Sequence, residues 1–152
     1  MHQDHAPQDH APPDSSSRRA RQRHAIHLGA AWEPPVPGPD GCVRWMRRFG
    51  RPAGLGPGDV VRLVVDRPGV AASIAVNGVP LPPVVRGVER WEAEITPLLR
   101  DRNDIELLAA LPSSAAGRSP MAAGRGPLPP AVGAVRIEID SWSAASSAGA
   151  GA

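Results

Sequence analysis

Glu92 and Glu94 stand two residues apart in Arg-Trp-Glu-Ala-Glu-Ile (90–95), and a pair of carboxylates is the minimum that acid–base glycoside hydrolysis needs. On a strand, however, residues two apart share a face by geometry alone. The remaining acids of the central region, among them Asp59, Asp66, Glu89, Asp101, Asp104, Glu106, Glu138 and Asp140, mostly alternate with apolar residues, which predicts solvent-facing positions rather than a facing catalytic pair. No histidine lies beyond His27, so a Ser–His–acid arrangement has no base within the central region. His2, His5 and His10 could ligate a metal, but no cysteine or second cluster completes a site. Cys42 is the only cysteine; it excludes an intrachain disulfide and has no neighbouring histidine to activate it. No catalytic residue, cofactor or metal site is assigned, and the expectation is a non-enzyme.

Ligand chemistry has few candidates. A sugar site needs an aromatic plate and a few fixed polar groups, and the chain has four tryptophans, one phenylalanine and no tyrosine. Trp45 and Trp91 lie in core register, whereas Trp32 and Trp142 lie near element ends where exposure is expected. Arg47 shares a strand face with Trp45 and Phe49, where an apolar residue is expected; a guanidinium buried there calls for an ion pair, or else for a ligand. Trp32, Arg47 and Trp91 are the possible ligand contacts.

These residues must be held by short, punctuated elements. The chain has 152 residues, of which 16 are glycine and 19 proline, too many to suit a helical bundle. All 17 basic residues are arginine, scattered without a basic stripe against 15 acids, which argues against nucleic acid as a partner. No apolar run approaches the roughly 20 residues of a membrane helix, and the polar N-terminus lacks a signal-type apolar region, so no membrane partner and a cytoplasmic location are expected. Residues 1–23 and 143–152 read as disordered tails around a domain at 24–142, with a flexible loop at 112–133. Period-two patterning predicts strands near 43–49, 60–66, 71–77, 90–95, 105–111 and 135–140, with a weaker first strand in 24–32 and an edge strand or extended loop at 79–85. Asn77-Gly78 signals a type I′ hairpin, and Thr96-Pro97-Leu98-Leu99 a helical turn capped by Thr96. About seven short strands separated by turns predict an all-β fold, an antiparallel β-sandwich.

Four segments carry a family resemblance: Trp45-Met46-Arg47-Arg48-Phe49, Ile74-Ala75-Val76-Asn77-Gly78, Trp91 to Leu99 (WEAEITPLL), and Asn103-Asp104-Ile105-Glu106-Leu107. In this order and spacing, Trp32 to Ile139 resembles the sugar-binding-type N-terminal domain of glycoside hydrolase family 2. That resemblance implies a galactose-binding-like jelly roll without the catalytic barrel, and an association with carbohydrate. The stretch from Trp32 to Cys42 is shorter and more proline-broken than the family pattern, and the loop between Asn77 and Trp91 lacks the aromatic and polar cluster of a sugar-binding mouth. Two functions follow as alternatives: a non-catalytic carbohydrate-binding-like module, or a structural or adaptor domain that binds another protein.

Overall fold

The computed structural model describes residues 20–111 and 124–143. Among these described residues nine strands run in chain order: β1 (Ala20–His27), β2 (Val36–Pro37), β3 (Val43–Gly50), β4 (Val60–Asp66), β5 (Ala72–Val76), β6 (Val79–Pro80), β7 (Arg90–Glu94), β8 (Arg102–Ala109) and β9 (Ala134–Ser143). They form two antiparallel sheets, β1-β9-β4-β7 and β2-β3-β8-β5-β6. The all-β antiparallel sandwich is therefore as the patterning predicts. Among the described residues the only helical pieces are three single 3-10 turns, and no helix is long and apolar enough to cross a membrane.

Alternation explains the core. Val61, Leu63 and Val65 of β4, Ile74 and Val76 of β5, Ile105 and Leu107 of β8 and Ile137 of β9 turn inward and are buried with Ile95, Trp45 and Trp91. Removing such apolar surface from water contributes about 25 cal/mol per Å². Phe49, on the same strand face as Trp45, is only partly buried, whereas Trp32 takes a place in the core. Asn77 (φ 52°) and Gly78 (φ 79°) make the two-residue turn between Val76 and Val79, and β6 is the proline-bearing edge strand. Gly133 (φ 92°) is obligatory for a second reason: a Cβ there would lie 2.4 Å from the carbonyl oxygen of Asp66.

Several boundaries differ from expectation. The first strand is β1, which begins at Ala20 inside the stretch assigned to the N-terminal tail and ends before the Leu28–Trp32 segment. Its polar residues form a strand because their partners on β9 are carboxylates, not because they bury apolar surface. β8 begins at Arg102, three residues before the strand expected near 105–111; the Asn103 amide ties it to the preceding loop through Arg100. The Thr96 hydroxyl does not cap its own turn; its Oγ1 accepts the Val61 N–H at 2.8 Å instead. Within the expected loop, residues 124–133 are pinned by a bridge between Gly126 and Trp32, by the turn at Pro130–Val132 and by the buried Val132. The expected disorder of 1–19, 112–123 and 144–152, and the His2, His5 and His10 tract, lie outside the described residues.

Candidate functional site

The outward side chains of the β1-β9-β4-β7 sheet form a lattice of arginines and acids. β9 contributes Arg136, Glu138 and Asp140, β1 contributes Arg21 and Arg23, β4 contributes Arg62 and Asp66, and β7 contributes Arg90 and Glu92. The expectation that Glu138 and Asp140 face solvent is corrected: Glu138 is 4 % exposed and Asp140 1 %. Alternation does set them on the outer face, but long arginine side chains from both neighbouring strands cover them.

Asp140 is met by three guanidiniums, with Arg23 donating from Nε at 2.8 Å and Arg21 and Arg62 closing on its Oδ2. Arg90 reaches across β4 to grip Glu138 with two parallel bonds, Nη1 to Oε1 at 3.0 Å and Nη2 to Oε2 at 2.7 Å, a fork-to-fork geometry that lysine could not supply. Arg136 donates to the same Glu138 from Nε at 2.8 Å and also pairs with Asp66. Val64 lies on this face in ladder register between Glu92 and Arg136 and is fully buried there.

These contacts set the charge states. Hydrogen bonds from Arg90, and then from Arg136, hold the Glu138 carboxyl down at about 2, although burial acts the other way. Hydrogen bonding from Arg23, with Arg21 and Arg62, holds Asp140 far below the usual carboxylate range. Both acids are therefore fixed anions, able to position cations and unable to hold a proton near neutrality. Beside Asp140, on the same face and opposite Arg21 in the ladder, the Trp142 side chain is 50 % exposed. Arg21 and Arg23 are also about half exposed.

The possible ligand contacts fall elsewhere. Trp32 is 1 % exposed, which corrects its expected exposure: its backbone pairs with Gly126 in both directions, at 3.1 and 2.9 Å, and this draws the indole into the core. Trp91 is 8 % exposed and packs as its register predicts, with Nε1 donating to the Pro83 carbonyl at 3.1 Å. Among the described residues Arg47 has no ion pair, a correction of the expected structural pair: its Nε and Nη1 are buried without a hydrogen-bond partner. Glu92 and Glu94 do share the outer face, both exposed, and Glu92 is bound to Arg90 at 2.6 Å. Among the described residues no three His, Cys, Asp or Glu side chains gather as a metal site. An open depression of about 810 Å³ lies over Met46, Arg48 and Phe49 and the start of β8. The lattice itself was missed by the sequence reading. Its signal was the alternation Arg21-x-Arg23 near one end of the chain and Glu138-x-Asp140 near the other, legible only once β1 and β9 are paired.

No family model matches the sequence, and no curated protein matches it. Solved structures do match in fold. An FMN-binding β-glucuronidase from Facaelibacterium prausnitzii L2-6 is 19 % identical with a TM-score of 0.56, the match covering 79 % of this chain and 23 % of that one. A putative β-galactosidase from Bacteroides fragilis is 17 % identical with a TM-score of 0.52, covering 79 % and 23 %. A rhamnosidase from Novosphingobium sp. PP1Y is 21 % identical with a TM-score of 0.50, covering 80 % and 15 %. The chain thus spans about a fifth of the length of such proteins. Its fold is that of a small all-β domain found within these larger glycosidases.

Proposed function

We propose that this chain is a non-catalytic carbohydrate-binding module whose contact surface is the outer face of the β1-β9-β4-β7 sheet. The observation that carries the reading is Trp142, an exposed indole flanked by the half-exposed guanidiniums of Arg21 and Arg23. An indole face stacks on the C–H face of a sugar ring, and fixed guanidiniums donate to its hydroxyls. Asp140 holds those two arginines in place, so they are pre-organised rather than ordered on binding. The non-catalytic part of the reading is supported by the state of the buried acids: a general acid needs a raised pKa, and Glu138 and Asp140 are both lowered. The fold's likeness to segments of glycosidases supports the carbohydrate association.

A glycan array probed with the full chain and with Trp142→Ala tests this. Binding that disappears in the variant while the melting temperature is unchanged is the expected result. No retained glycan, or equal retention by the variant, refutes the surface. A second reading, a protein-interaction domain, is favoured by one separate feature, the exposed Val79 and Val85 beside the β6 edge.

A further inference from the structure

Arg47 has no account in the glycan surface, since it belongs to the other sheet and to its inner face. It stands on the inner face of β3, between Trp45 and Phe49 and opposite the fully buried Ile105. The outward arginines of the same strand have acids, Arg44 with Glu106 at 3.7 Å and Arg48 with Glu33 at 3.6 Å. Arg47 has none, and its Nε and Nη1 are buried and unpartnered. Arg47 as a whole is half-buried, but two of its nitrogens are taken from water with no compensating bond, a cost that in folded proteins generally has a reason.

The neighbourhood makes the cost worse. The Glu33 N–H donates to the Met46 carbonyl at 2.8 Å, and Trp32 bridges Gly126, so the 124–126 segment is carried alongside β3. This places exposed Arg125 where its charge acts on Arg47. Burial, and then repulsion by Arg125, lower the pKa of Arg47, and no carboxylate acts in the other direction. With no acid paired to Arg47 among the described residues, the two guanidiniums form a local excess of positive charge, part of it already desolvated. Desolvation has then been met before any ligand arrives, and an anion entering such a site gains strong charge-assisted bonds.

We propose that Arg47 and Arg125 form the binding site for the carboxylate of a small acidic ligand, with Arg47 donating from its buried edge and Arg125 closing from the surface. A planar carboxylate fits a guanidinium edge with two parallel bonds. The acid is either a sugar acid or a simple organic acid, and the two sources differ only in what the carboxylate is attached to. The site stands independently of the glycan surface.

The test is a thermal-shift titration of the full chain with glucuronate, acetate and glucose at constant ionic strength, on the wild type and on Arg47→Met. Saturating glucuronate is expected to raise the wild-type melting temperature by about 5 °C, glucose to leave it unchanged, and Arg47→Met to show no response. An equal effect of acetate identifies a simple acid as sufficient; an effect of glucuronate alone identifies a sugar acid. Without ligand, Arg47→Met is expected to melt no lower than the wild type, because it removes an unpartnered buried charge. No wild-type shift with either acid, or an equal shift in Arg47→Met, overturns the proposal. Should Arg47→Met fail to fold, the wild-type Arg47 Nε–H resonance decides: it must move on titration with glucuronate and stay put with glucose, and a resonance that does not move overturns the proposal. Trp142→Ala retains the shift, so failure of the glycan surface leaves this result unaffected.

Discussion

The Asn77 side-chain amide donates to Asn103 Oδ1 at 2.9 Å, joining the β5–β6 turn to the first residues of β8. The same two side chains also bind backbone: Asn77 Nδ2 donates to Leu98 O at 2.7 Å, Asp104 N–H donates to Asn77 Oδ1 at 3.1 Å, and Arg100 N–H donates to Asn103 Oδ1 at 2.7 Å. Asn103 is almost wholly buried, so water cannot replace these bonds. Asn103→Ala is expected to cost about 1–3 kcal/mol for the groups left unsatisfied. A double-mutant cycle with Asn77→Ala should show a coupling above about 0.5 kcal/mol in urea denaturation. Additive losses would mean that the two amides act separately.

Buried and exposed tryptophans should separate cleanly. Trp32→Ala and Trp91→Ala each empty a core position and should cost about 3–5 kcal/mol. That is much of the roughly 5–15 kcal/mol available to such a domain. Trp142→Ala, at a half-exposed position, should cost less than about 1 kcal/mol. Calorimetric melting of the three variants checks the ordering.

The outer-face lattice makes acid stability predictable in sign. Glu138 and Asp140 have folded-state pKa values below their unfolded ones, so the unfolded chain binds more protons as the pH falls. Their contribution is complete above the unfolded values of 4.5 and 3.8 and is lost as the pH drops through the folded ones. The free energy of unfolding is expected to hold level with respect to these two groups above pH 5. It should decline from about pH 4.5 toward pH 2, the value to which Glu138 is lowered. Glu138→Gln should flatten part of that decline in denaturant titrations at stepped pH.

Removing the centre of the lattice should cost more than removing its rim. Asp140→Ala takes from Arg62, mostly buried, its close carboxylate and leaves it only Glu92 at 4.0 Å, while Arg23 keeps Glu138 at 3.6 Å and Arg21 returns to water; the expected loss is about 3 kcal/mol. Arg21→Ala removes a half-exposed cation from an aspartate that keeps two others, and should cost under about 1 kcal/mol. Chemical denaturation of both variants checks the ratio.

What the sequence revealed of this fold was whatever depends on near neighbours. β3, β4, β5 and β7 alternate, and Asn77-Gly78 dictates its own turn, so these elements were legible. β1 was not, because Arg21 and Arg23 are strand residues only by virtue of Asp140, which a local pattern cannot show. Trp32 was misplaced for the same reason: its burial follows from pairing with Gly126, not from its own segment. The oddity of Arg47 was visible from its register with Trp45 and Phe49, while its lack of a partner needed the fold.

The pairing of β1 with β9 brings together residues 119 apart, as in Arg21 and Asp140, and seats β9 between β1 and β4. During synthesis β4 therefore meets β7 first and keeps its other flank vacant until β9 is made. The five-stranded sheet can assemble as soon as β8 is made, whereas its partner sheet must stay incomplete until β9, which starts at Ala134, has followed it. Closure of so large a loop is slow. Through that interval the apolar side of β4, Val61, Leu63 and Val65, has only one face of the sandwich to rest on. Nascent-chain aggregation, rather than weakness of the finished domain, is where this topology is most exposed.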